Sequence, residues 1–131
     1  MRLPIATVPL ILSSLAAGCA MPPAAPAPGA VQATLFSSQS VRYRCDGGTE
    51  IEVAYLNLNN GGSFAALHHG GRTALLQSRP TGSGARYIAL DEQHSLRWHT
   101  QGMGGSLRFL AADHTAQEQT LLANCQALPA R

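Results

Sequence analysis

Val41-Arg42-Tyr43-Arg44-Cys45-Asp46-Gly47-Gly48-Thr49-Glu50-Ile51-Glu52-Val53-Ala54-Tyr55 alternates apolar and polar side chains on both sides of a glycine turn. Successive side chains of an extended chain point to opposite faces. Val41, Tyr43 and Cys45 therefore share one face, and Arg42 and Arg44 the other. Beyond the Asp46-Gly47-Gly48 turn, Ile51, Val53 and Tyr55 again fall on a single face. Period two on both sides of a turn predicts two antiparallel strands with one buried face.

The pattern continues downstream. Asn59-Asn60-Gly61-Gly62 is the strongest hairpin signal in the chain. Further strands are predicted over 64–68, 73–77, 85–90, 96–100, 106–110 and 121–125, with residues 113–119 as an irregular connection. About eight short strands with no helix predict an all-β domain over residues 41–126, followed by a tail over 127–131. A small antiparallel barrel filled by side chains satisfies this count, and a β-sandwich of the same strands satisfies it equally. In a closed barrel the first and last strands are neighbours, so Cys45 and Cys125 would staple its seam.

Upstream the chain has a different character. Residues 1–18 combine an early Arg2 with a short apolar run broken by Pro4 and Pro9. The run is too short to span a bilayer and reads as a secretion signal. Leu15-Ala16-Ala17-Gly18-Cys19 resembles the bacterial lipobox, with Ala16 where Leu is commoner. The resemblance implies lipidation of Cys19, and Ala20, with no Asp beside the cysteine, implies the outer membrane. Residues 19–40 then form a tether rich in Pro and Ala, a composition that favours extended polyproline II over a packed core. With Cys19 lipidated, Cys45 and Cys125 remain as one pair, which an exported chain would oxidise.

Composition narrows the function. The sequence has 131 residues, 12% of them charged and only 5% aromatic, with nine basic side chains, all arginine, against seven acids. Without Arg2 the formal charge is +1, too little for a nucleic-acid footprint. Gly82-Ser83-Gly84 lacks the spacing of a nucleophile elbow, and no carboxylate pair is placed for acid–base work. The five histidines have no ligand spacing once both cysteines are bridged: His68 and His69 alternate across a strand, as do His94 and His99 if that strand is regular. No enzyme, metal or cofactor is expected. What remains is the loop Thr81-Gly82-Ser83-Gly84, whose glycines allow a sharp turn and close approach and whose serine suits insertion into another molecule's cleft.

Tyr43-x-Cys45-Asp46, Ser83-Gly84-Ala85-Arg86-Tyr87, Trp98 followed by Gly102, and Asn124-Cys125 occur in this order. Together they resemble the membrane-bound inhibitors of C-type lysozyme, lipoproteins of Gram-negative bacteria that face the periplasm. The resemblance implies an eight-stranded barrel that blocks the lysozyme cleft with the Ser83 loop. Ser83, Gly84, Arg86, Tyr87, Gln101 and Gly102 are the lysozyme-contacting residues it implies. Family members carry a lysine before the glycine of the loop that follows the Trp strand, and here Gln101 stands in that place. An acidic pair after that glycine is replaced by Met103-Gly104-Gly105. Arg86 and Arg97 are candidates for the missing charge. The alternative is a lipid-anchored barrel that has lost strong inhibition and serves as an envelope-binding or structural module.

Overall fold

The computed structural model describes residues 18–23 and 35–131. Residues 18–23 are exposed and carry no secondary structure, with the Cys19 thiol free. The rest of the expected leader and residues 24–34 of the expected tether lie outside the described residues. From residue 35 onward the chain forms a closed barrel of eight antiparallel strands in sequence order: β1 Phe36–Arg44, β2 Glu50–Leu58, β3 Ser63–His69, β4 Arg72–Arg79, β5 Ala85–Ala89, β6 Ser95–Gln101, β7 Gly104–Leu110 and β8 Gln119–Ala127. The barrel, not the sandwich, is the fold.

The alternation read from the sequence sorts the two faces. Tyr43, Ile51, Val53 and Tyr55 are buried, while Arg44, Glu50 and Glu52 are exposed. The core includes Trp98, Leu67, Leu76, Leu96, Leu107 and Val53. Each fully buried aliphatic side chain contributes about 1.5–3 kcal/mol relative to exposure. Trp98 sits at the centre. Its indole N–H donates to the Tyr55 hydroxyl at 2.8 Å, and that hydroxyl lies 2.9 Å from the hydroxyl of Tyr43. The Tyr43 ring meets Trp98 edge-on, with centroids 5.0 Å apart. Gly105 makes room for the indole, since a Cβ there would come within 2.6 Å of the Trp98 ring.

The seam is short. β8 pairs with β1 only at Tyr43↔Ala127 and Arg44↔Gln126, and the Cys45–Cys125 disulfide closes it. Beside the disulfide, the Asn124 amide donates to Asp46 Oδ2 at 2.7 Å. Asn124 takes φ 49°, a left-handed conformation that asparagine tolerates better than most residues.

Several strand boundaries differ from expectation. β1 begins five residues before Val41 because Phe36–Ser40 pair with Ala54–Leu58 of β2 without being buried. No buried face means no hydrophobic alternation to read. β8 likewise runs two residues past Cys125. His94 does not share β6 with His99; it ends a 3-10 turn, Glu92–His94, which opens with the Gln93 N–H donating to the Asp91 carboxylate.

In an antiparallel barrel alternate connections gather at one end. The start of β1, the β2–β3 hairpin, the Ser83 loop and the β6–β7 hairpin all belong to the same rim.

Candidate functional site

The Ser83 loop leaves β4 at Arg79 and enters β5 at Ala85, with residues 80–84 exposed. Its shape depends on Gly84. This residue has φ +65°, and any Cβ there would collide with the Thr100 carbonyl oxygen and crowd Gln101 Cα. Only glycine allows the loop to lie flat against the end of β6. The Ser83 carbonyl is held from two sides: a His99 ring nitrogen lies 3.2 Å away, and the Thr81 hydroxyl donates from 3.4 Å. The Ser83 hydroxyl is exposed and makes no hydrogen bond among the described residues. A pinned backbone with a free hydroxyl at its tip is a preformed probe.

Next to it lies the β6–β7 hairpin. Gln101 pairs with Gly104, Gly102 turns the chain at φ +59°, and Met103 at the tip is exposed. The Ala127 N–H donates to the Met103 carbonyl at 2.8 Å, tying this hairpin to the end of β8. The contact of Gly84 with Thr100 and Gln101 joins the two loops into one surface. The structure thus brings Ser83, Gly84, Gln101 and Gly102 together.

The two arginines have other partners. On the outer wall of β5 to β7, Arg86 donates to Glu118 Oε2 at 2.8 Å, Arg97 to the same oxygen at 3.0 Å and Arg108 to Glu118 Oε1 at 3.3 Å. Burial alone would raise the Glu118 carboxyl. The Arg108 hydrogen bond, with the charge and hydrogen bonds of Arg86 and Arg97, outweighs it and holds the carboxyl below its ordinary value. Tyr87 points the other way, into the barrel, and is only 7% exposed.

His99 and Glu118 were not singled out from the sequence as part of this arrangement. For His99 the signal lies in register: Arg86 pairs with His99 and Ala85 with Thr100, which sets β6 beside the loop. Glu118 sits in the irregular stretch before β8, where sequence periodicity carries no positional information.

Comparison with known proteins gives this rim a context. The sequence profile of a family described as membrane-bound lysozyme-inhibitor of c-type lysozyme matches residues 43–116. The chain belongs to this family. A relative from Cupriavidus necator, named membrane-bound lysozyme inhibitor of C-type lysozyme, is 37% identical over 119 residues, covering 91% of this chain and 89% of the relative. Two solved structures share the fold. The periplasmic lysozyme inhibitor of C-type lysozyme from Salmonella typhimurium aligns with TM-score 0.58 at 22% identity, over 70% of this chain and 98% of its own. Pseudomonas aeruginosa MliC, solved in complex with hen egg white lysozyme, aligns with TM-score 0.51 at 24% identity, over 83% of this chain and 98% of its own.

Proposed function

We propose that this protein inhibits C-type lysozyme by setting the Ser83 loop into the enzyme's active-site cleft, and so protects peptidoglycan. It acts by binding, with no catalysis of its own. The observation that carries the reading is the seat of Gly84 on Thr100, which presents an unpartnered Ser83 hydroxyl on a backbone fixed before binding. A loop ordered in advance avoids the ordering cost that a mobile one incurs on association. In the cleft the hydroxyl donates to a carboxyl group, and a bond with one charged partner is about twice as strong as a neutral one. Gln101 and Gly102 form the second contact, through the Gln101 amide where other family members use a lysine.

The chain reaches its target from the membrane. Cys19 is free and exposed while the other two cysteines are bridged, consistent with lipidation at Cys19 after removal of residues 1–18. Residues 20–35 then link the anchor to the barrel, and the protein faces the periplasm from the outer membrane.

Titration of residues 31–131 against a C-type lysozyme tests the inhibition. Stoichiometric loss of lytic activity is expected at micromolar concentration or below. A domain shown to be folded that leaves lysozyme fully active at micromolar concentration overturns the proposal, and leaves the envelope-binding or structural module as the reading.

A further inference from the structure

Inside the rim, the barrel mouth holds a cavity of about 200 Å³. Tyr55 and Tyr87 line it from within, Gln39 and Asn57 from the projecting ends of β1 and β2, and Thr100 and Gly102 from the side of the two rim loops. None of these side chains is ionised at neutral pH. Tyr43 and Tyr55 satisfy each other and Trp98, but the Tyr87 hydroxyl makes no hydrogen bond among the described residues, although the residue is 7% exposed. Its ring is packed against Tyr55, with centroids 5.6 Å apart. The Tyr87 hydroxyl is not among the sealed polar atoms of the barrel; it is a free donor that keeps access to the mouth it lines.

We infer that the barrel mouth is a third contact for the lysozyme, a receptor for one uncharged side chain whose carbonyl or hydroxyl oxygen accepts a hydrogen bond from Tyr87, with Gln39 and Asn57 selecting among such groups. The inference rests on the inhibition proposed above. Position ties the mouth to that function: Thr100 lines the cavity with its own residue and seats Gly84 of the inhibitory loop with its carbonyl. Gly102, assigned above to the second lysozyme contact, itself lines the cavity, so a partner seated on Gly102 lies against the mouth. Size agrees, since the cavity holds one side chain and not a folded segment. The lining also excludes a charged guest, because no side chain there carries a compensating charge and an unpaired buried charge is strongly disfavoured. Burial pushes the Tyr87 hydroxyl up from its ordinary value, so it remains a donor throughout the neutral range. A buried Tyr87 cannot touch a partner from the outer surface of the loop, and the mouth is its route to one.

The test is Tyr87→Phe in the full chain, read by lysozyme inhibition and by thermal melting. The substitution removes one oxygen and breaks no hydrogen bond within the protein. A structural tyrosine predicts unchanged inhibition. A receptor predicts inhibition about three- to tenfold weaker at an unchanged or slightly higher melting temperature, and Gln39→Ala should weaken it further without loss of folding. If Tyr87→Phe inhibits within twofold of the native chain, the inference is wrong while the inhibition stands. A native chain that does not inhibit removes both. Saturable quenching of tyrosine fluorescence by soluble N-acetylglucosamine oligomers alone, with inhibition unchanged by Tyr87→Phe, would assign the mouth to glycan and also overturn it.

Discussion

Ser83 and Gln101 divide the proposed grip into two parts of unequal strength. The Ser83 hydroxyl has no partner among the described residues, so Ser83→Ala is expected to remove a contact to the target and nothing from the barrel. We expect inhibition to weaken severalfold, about 1–2 kcal/mol, with an unchanged melting temperature; a calorimetric titration beside a melting curve checks both. Gln101 is exposed at the end of β6 and can donate through its amide but brings no charge. Arg86 and Arg97, the nearest candidates to supply one, are both held by Glu118. Gln101→Lys should therefore strengthen inhibition, and more so at low salt, because an added charge facing a carboxylate is screened by ions. Equal inhibition by Gln101→Lys at low and high ionic strength would show that Gln101 does not face the target's carboxylate. At this scale the sequence was informative about identity and silent about partners. Ser83 stood out because it lies between two glycines, whereas nothing in the local sequence of Arg86 marks it as bound to a glutamate 32 positions away.

Between residues and the whole, the elements show what keeps the rim in place. The strand pattern was legible wherever one face was buried, from Tyr43 through Tyr55 and again around Trp98. It failed at Phe36–Ser40, paired but not buried; the connection before β8, read as irregular, is so up to Glu118, and there Asp113 organises a turn by accepting from the Thr115 N–H. The β5–β6 pairing sets the Ser83 loop on Thr100, and Gly84 is the residue that pairing cannot spare. Gly84→Ala places a methyl group against a backbone carbonyl at a left-handed φ, a strain of about 1–3 kcal/mol. The loop should lift, and inhibition should fall about tenfold or more while the circular dichroism of the barrel is preserved. On the outer wall, Glu118 offsets the mutual repulsion of three arginines on β5, β6 and β7. Its carboxyl is held below the ordinary value of 4.5. Its contribution is therefore complete above the unfolded-state pKa and is lost as pH falls through the lower folded value. Glu118→Gln should cost about 1 kcal/mol at pH 7, and melting curves of the two proteins should converge as the pH falls below that lowered value.

For the molecule as a whole, the disulfide compensates for a seam of only two paired positions. The bridge joins residues 80 apart in sequence, for which the chain-entropy estimate is roughly 4–5 kcal/mol. Replacing both cysteines by serine should lower the denaturation midpoint sharply, and reductant should do the same to the native chain. A midpoint unmoved by reduction would mean that the core alone holds the barrel closed. The choice of barrel over sandwich was not legible in periodicity, because both bury alternate residues of the same strands. It was decided by the pairing of β1 with β8, a contact between the two ends of the domain. The shared rim has a consequence for reach. The chain enters β1 at the end of the barrel that carries the Ser83 loop and the β6–β7 hairpin. Sixteen residues, 20–35, separate Cys19 from Phe36, and at full extension the segment spans at most about 60 Å. Deleting residues 22–33 should abolish inhibition by the protein tethered on vesicles yet leave the detergent-released protein fully active, which would make the spacer a gauge of what can be caught at the membrane.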